Sequence, residues 1–277
     1  MKLSEKLKRL LLSGLVMGYI FLFAALWQLP DGKFHIWFLD VGQGDSILIE
    51  TPGDNHILID GGPGPDVLSE LSAILPFFEK EIDLLVLSHP HADHINGVIE
   101  VLKRYSVKAI LFSGVNFAGG AYDEFLREIR AQQIDFWIAE ASDDFRFGPV
   151  ILNVIYPREQ AAGEEFANLN NSSVAIKVIY DDVKILLTGD LETEAEAALV
   201  NSGEDLRAEI LKAGHHGSKT ASSIEFLKKV KPKVVVIQSG EGNSFGHPHD
   251  ESLNNFEKIG VEKVYRNDLD GRVEFVF

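Results

Sequence analysis

The sequence predicts a layered α/β fold. Two observations carry the prediction: strand-length apolar runs alternate with helix-patterned segments, and each cluster of chemistry-bearing polar residues comes directly after such a run. A third bounds it. A chain of 277 residues with no visible internal repeat can bury one large core, so one globular domain is expected.

The N-terminus stands apart. Lys2, Lys6, Lys8 and Arg9 precede an uncharged run from Leu10 to Leu29 that includes Phe21, Phe23 and Trp27, and a run of this length can span a bilayer. Residues 10–29 are therefore expected as a transmembrane anchor or an uncleaved signal, with 1–9 as a basic cytoplasmic segment. That topology makes the protein single-pass in the cell membrane, with residues 33–277 as an extracytoplasmic domain. The formal charge of -16 argues against simple electrostatic binding of nucleic acid, which rests on clustered Lys and Arg. The chain has no cysteine, which excludes disulfides, thiolate metal sites and cysteine nucleophiles.

From Lys33 the pattern is short strands: Phe34 to Leu39, Ser46 to Glu50 and His56 to Ile59. Thr51-Pro52-Gly53-Asp54-Asn55 reads as a hairpin turn, and Asp60-Gly61-Gly62-Pro63-Gly64-Pro65 as a loop. His35 and His56 lie inside strands without ligand-type neighbours and read as ordinary strand residues. A helix is expected over 66–80, with Pro76 disturbing its last turn. Next come the strand Ile82 to Leu87, a helix from Asp93 to Arg104, the strand Val107 to Phe112, a helix over 122–132 and the strand Ile134 to Ala139.

A second set of strands follows at 145–147, 150–156, 173–180 and 183–187. The stretch Pro157 to Asn171 has no period and reads as a flap or a surface excursion. Asp190 ends the last of these strands, where a lone residue is commonly a helix N-cap, and a helix is expected from Leu191. A strand at 209–212 runs into His215-His216, and a helix is expected over 222–230. The strand 234–238 leads to the loop around His247, then a helix over 252–259. The strands 261–265 and 272–276 are expected to pair through Asp270-Gly271 and close a sheet edge.

The densest chemistry is Ser88-His89-Pro90-His91-Ala92-Asp93-His94, three imidazoles and a carboxylate at a strand end. These are side chains that zinc, manganese and iron accept. Pro90 keeps the run out of a regular helix and biases His89 to an extended conformation, which lets His89 and His91 surround one point. Asp93 and His94 open the next helix and can face a second point. Two metals are expected.

His89-Pro90-His91-Ala92-Asp93-His94 matches the H-x-H-x-D-H motif, and Gly189-Asp190 the later aspartate motif, of the metallo-β-lactamase superfamily, which the chain resembles from Phe34 onward. More narrowly it resembles the hydrolase domain of ComEC-type competence proteins, through the runs 40–46, 214–219 and 246–249. The resemblance implies an αββα sandwich with a dinuclear site on one edge, holding two divalent ions, zinc or manganese. It assigns His89 and His91 to the first ion, Asp93 and His94 to the second, and Asp190 as the bridge. His216 or His215 completes the second site. His216 is preferred, and because neighbours on an extended chain point opposite ways only one of the two is expected to be a direct ligand.

The same resemblance implies hydrolysis of a phosphodiester, DNA among the candidates, by a hydroxide shared between the ions, as in DNA uptake. Asp93 and Asp190 are then catalytic, and His247, Ser218, Lys219 and Asn171 are candidates to hold the phosphate, with His247 also able to protonate the leaving oxygen. Asp40, Gln43, Asp45 and Asp60 are expected to orient the imidazoles. In one respect the chain departs from the pattern: no histidine lies between Ile95 and Gly214 to serve the first ion, and Asn170, Asn171 and Ser172 occupy that region. A lactam or thioester hydrolase, and a membrane-tethered binding protein with a degenerate metal site, are the rival readings.

Overall fold

The computed structural model describes residues 4–27 and 30–277, the side chains of 24–27 excepted. Two seven-stranded sheets face each other. The first runs, edge to edge, through Val273–Val276, His35–Phe38, Ile47–Glu50, His56–Ile59, Leu84–Leu87, Ala109–Phe112 and Asp135–Ile138. The second runs through Lys263–Arg266, Val234–Ile237, Ile210–Lys212, Val183–Leu187, Ala175–Tyr180, Val150–Tyr156 and Asp144–Phe147. Each sheet has an antiparallel half built by hairpins and a parallel half built by helical crossovers.

Strand alternation makes the layers. Ile36, Phe38, Ile47, Ile49, Leu84 and Val86 point between the sheets, where Ile176, Val178, Ile185 and Leu187 meet them. Their neighbours Trp37, Leu48, Leu58, Leu85 and Leu87 point outward, under the helices Asp66–Ile74, Ala92–Leu102 and Gly120–Gln132. Leu186, Leu211, Val235 and Ile237 do the same beneath Thr193–Asn201, Ile224–Val230 and Asp250–Ile259. The result is the four-layer αββα order.

Three expectations change. The helix expected over 66–80 ends at Ile74, because Leu75 precedes Pro76 and is extended at ψ 145. The two C-terminal strands do not pair. Lys263–Arg266 runs parallel to Val234–Ile237 in the second sheet, and the short helix Asn267–Asp270 carries the chain across, so that Val273–Val276 pairs with His35–Phe38 in the first.

The expected anchor over 10–29 is not supported. A helix runs from Glu5 to Trp27, but among the described residues no helix is long and apolar enough to cross a membrane. The side chains of 24–27 and residues 28–29, which complete the expected span, lie outside the described residues, as do residues 1–3 of the basic segment.

Candidate metal centre

The parallel halves of the two sheets present their strand ends at one edge. Asp45 lies between His35–Phe38 and Ile47–Glu50, Asp60 follows His56–Ile59, and Ser88 and His89 follow Leu84–Leu87. From the other sheet, Asp190 follows Val183–Leu187, His216 follows Ile210–Lys212 and Gln238 follows Val234–Ile237. Crevices outside strand ends are where such folds place ligands. Asp60, His215 and His216 take left-handed backbone angles, φ 58, 46 and 54, which cost L-residues about 1–3 kcal/mol each. The three lie at the edge that carries the candidate ligands, where the surrounding contacts must hold them.

Asp93, His94, Asp190 and His216 bring one ligand atom each to within 4.8 Å of one another. His94 Nε2 and His216 Nε2 lie 3.3 and 3.2 Å from Asp190 Oδ2, and His216 Nε2 lies 3.2 Å from Asp93 Oδ2. Both Nε2 atoms are buried and make no hydrogen bond. Their opposite ring nitrogens are occupied. His94 Nδ1 is 2.8 Å from Asp60 Oδ2 and His216 Nδ1 is 2.8 Å from the Gln238 carbonyl, contacts that only a protonated Nδ1 can make with an oxygen acceptor. In the neutral form that a metal ligand must take, each ring therefore carries its lone pair on Nε2, facing Asp190. Orphaned imidazole nitrogens facing carboxylate oxygens fit a divalent cation.

His89, also buried, lies beside this group, with Nε2 3.9 Å from Asp190 Oδ2 and 2.9 Å from His91 Nδ1. Burial and the neighbouring imidazoles keep His89 well below the ordinary histidine pKa, and burial lowers His91 too, which keeps both rings neutral as ligands must be. Burial opposes charge on His94 and His216, but the carboxylates of Asp190, Asp60 and Asp45 outweigh it and raise both well above 6.5. Burial likewise disfavours the Asp190 carboxylate, yet His216, His94 and Lys212 hold its pKa well below 3.8.

Two glycines set the position of the helix that carries Asp93 and His94. A Cβ at Gly97 would stand 1.7 Å from the Gly61 carbonyl oxygen, and one at Gly61 would stand 2.2 Å from Val98 N. Gly61 N donates to His94 O at 2.9 Å and Gly97 N to Gly62 O at 3.0 Å. The helix is thus docked on the loop that carries Asp60, and the Asp60–His94 contact follows.

The other expected site residues divide. Asp45 lies 3.2 Å from His216 Nδ1 and is ion-paired to Lys212. Gln43 supports no imidazole; its Oε1 accepts from Gly240 N at 3.1 Å. Asp40 is exposed and has no hydrogen bond or ion pair with the site, since its side chain points out of the loop whose other end carries Asp45. Asp190 does not cap a helix, which begins only at Thr193 with Glu192 as its N-cap. His215 and His216 are not on an extended chain but in a tight turn, where His216 faces inward and His215 rests its Nδ1 3.0 Å from Glu192 Oε1. His215 Nε2 remains 3.9 Å from Asp190 Oδ2.

His247 closes the rim, its ring centre 5.4 Å from that of His215 and its Nδ1 buried without a partner. Burial and the adjacent histidines lower its pKa to about 4. Ser218 is taken up by Thr220, at 3.0 Å between hydroxyls, and Lys219 is exposed with its backbone N–H donating to His249 Nδ1. Neither contacts the ligand group. Asn171 is also occupied: Nδ2 donates to Glu194 at 2.8 Å and Oδ1 accepts from Glu192 N at 2.9 Å. The amide beside the site is that of Asn170.

Lys212 and Glu192 were not legible in advance. Lys212 is wholly buried, paired with Asp45 and donating to the Gly189 carbonyl at 2.9 Å. It follows two apolar strand residues, and nothing in the sequence distinguishes it from a solvated lysine. Beside His91, the residues Asn116, Phe117, Glu165 and Phe166 enclose a cleft of about 530 Å³, so the aperiodic stretch 157–171 lines the approach to the ligands. His35 and His56 lie at the far strand ends, paired with Asp31, Glu274 and Glu50 around a separate hollow of about 440 Å³.

The family model for the metallo-beta-lactamase superfamily matches residues 39–240. The chain is 26% identical to ComE operon protein 3 of Bacillus subtilis, over 98% of this chain and 37% of that protein. It is 32% identical to competence protein ComA of Neisseria gonorrhoeae, over 89% of this chain and 33% of that one. The chain therefore spans about a third of the length of these curated relatives. Among solved structures, the metallo-beta-lactamase fold protein YhfI of Bacillus subtilis superposes with a TM-score of 0.59 at 13% identity, covering 88% of this chain and all of that one, a likeness of fold.

Proposed function

The chain belongs to the metallo-beta-lactamase superfamily, and we propose that it acts there as a metal-dependent phosphodiesterase whose substrate is DNA or a related phosphodiester. The observation that carries this reading is the convergence of two buried, unpartnered imidazole nitrogens, on His94 and His216, upon one oxygen of Asp190. Imidazole with carboxylate suits zinc or manganese. Asp93, His94, Asp190 and His216 would hold one ion, and His89 and His91, with Asp190 shared, the other. Held there, divalent ions would supply an activated water nucleophile and offset charge on the attacked group.

The chain's own residues orient and exclude. Asp60 and the Gln238 carbonyl fix the two ring tautomers, and Lys212 holds Asp190 from behind. His247 offers the rim a ring whose free Nδ1 can hydrogen-bond a phosphoryl oxygen. Similarity to proteins named for competence supports DNA as substrate and a place in DNA uptake. The net charge of -16 is offset locally where the cations sit.

The test sets the full chain, with manganese or zinc, against single-stranded DNA, bis-nitrophenyl phosphate and a chromogenic lactam. Hydrolysis of the phosphodiesters is expected, and His216→Ala should lower it by more than the about 10–100-fold that losing a ligand's supporting partner costs. Turnover of the lactam with both phosphodiesters left intact would overturn the reading.

A further inference from the structure

Asn170 sits in the turn Leu169–Ser172 and is 7% exposed. Its Nδ2 donates to Glu192 Oε1 at 2.9 Å, which fixes the amide with nitrogen towards Glu192 and oxygen away from it. That oxygen, Oδ1, is buried and has no hydrogen-bond partner. The Asn170 side chain also lies against His91. His91 Nδ1 in turn lies 2.9 Å from His89 Nε2. An unpartnered amide oxygen and two imidazoles that touch each other therefore gather at one place.

Anchoring the turn does not explain this oxygen. The backbone is tied by Asn170 N to Asn168 Oδ1 at 3.2 Å, and Asn171 spends both of its amide atoms on Glu192 and Glu194. Asn168 and His215 also lean on Glu192, at 2.8 and 3.0 Å, so that one carboxylate orients the whole group. A buried acceptor without a donor is destabilising, and a cation at that position would remove the penalty.

We propose that Asn170 Oδ1 is a ligand of the first metal position, beside His89 and His91, and that it biases this position towards manganese over zinc. The inference rests on the two-ion reading above. Amide and carboxylate oxygens suit hard ions such as manganese, whereas a further imidazole would favour zinc. Asn170 thus occupies the place for which the sequence has no histidine.

The experiment measures metal content and calorimetric titration of the metal-free full chain with manganese alone and zinc alone. Wild type is expected to bind two ions. Asn170→Ala should retain one, and Asn170→His should bind two with preference moved at least tenfold towards zinc. Asn170→Ala binding both ions with wild-type affinity overturns the proposal while leaving the two-ion reading intact. If that variant does not fold, Asn170→Asp decides: manganese affinity at the weaker position should rise at least tenfold, and an unchanged value overturns the inference. Fewer than two ions on wild type overturns both readings.

Discussion

Lys212 Nζ lies 3.5 Å from Asp190 Oδ1, behind a carboxylate whose other oxygen faces His89, His94, His215 and His216 at 3.2 to 3.9 Å. The two oxygens are thereby given different tasks. One is neutralised by a buried ammonium, and only Oδ2 is left for whatever sits among the imidazoles. Lys212 divides itself between Asp190 and Asp45, so three charged groups are buried with one net negative charge among them.

Removing the ammonium from this group leaves two buried carboxylates without their cation. Breaking a buried ion pair from one side costs about 3–5 kcal/mol. Lys212→Met should lower the free energy of urea unfolding of the metal-free protein by that amount. A loss below about 1 kcal/mol would show that the pair is solvated and the argument from burial is wrong.

Asp60 and Asp40 make a paired comparison. Asp60 holds His94 Nδ1 and also accepts from Ser88, whose Oγ is 2.6 Å away, whereas Asp40 is exposed. Asp60→Ala should weaken metal binding about 10–100-fold, and Asp40→Ala should leave both affinity and stability within about 0.5 kcal/mol of wild type. Equal effects from the two would remove Asp60 from its supporting role.

Gly97→Ala reverses the ordinary helix rule. Alanine normally favours a helix over glycine by about 1 kcal/mol, but here the added methyl meets the Gly61 carbonyl at 1.7 Å, a backbone atom that cannot swing away. Overpacking of this kind costs about 1–3 kcal/mol or more. The variant should unfold earlier in thermal melts and also bind metal less tightly, because the helix carries His94 away from Asp60. A stabilised variant would contradict the close approach.

Glu196 gives a pH dependence of stability. Burial raises its pKa from 4.5 to about 7, against the opposing pull of the Ser222 and Ser223 backbone N–H groups at 2.5 and 2.9 Å. The folded state then holds a proton that the unfolded state releases between about pH 4.5 and 7, so stability falls as pH rises through that window, by up to roughly 3 kcal/mol. Glu196→Gln should flatten this part of the curve. Parallel melting curves for the two proteins from pH 5 to 7.5 would refute the shift.

What could be read in advance was what adjacency encodes. His89, His91, Asp93 and His94 fall within six positions, and the strand periods that bracket them survive folding almost unchanged. Asp45 and Asp60, polar residues at strand ends, lie beside His216 and His94. Other expected residues stand apart from the ligand group for one reason. Asp40, Ser218, Lys219 and Asn171 are polar residues near the right strand ends, but which of several neighbours turns inward depends on loop hydrogen bonds formed with distant segments, such as Asn171 with Glu192 and Glu194. Lys212 escaped notice because its burial is a property of the two sheets together. The C-terminal strands were paired wrongly because hairpin spacing reports only the local option, and here each strand finds a better edge elsewhere.

That last pairing bears on how the chain becomes a fold. His35–Phe38 receives its outer neighbour only from Val273–Val276, and Phe34 and Phe277 exchange backbone hydrogen bonds at 3.2 and 2.9 Å. During synthesis the strand His35–Phe38 must wait until Val273–Val276 is made, with one row of amides and carbonyls open in the meantime. Nascent chains stalled before residue 273 therefore carry an unsealed edge, and it is at this seam that self-association during translation is expected to begin.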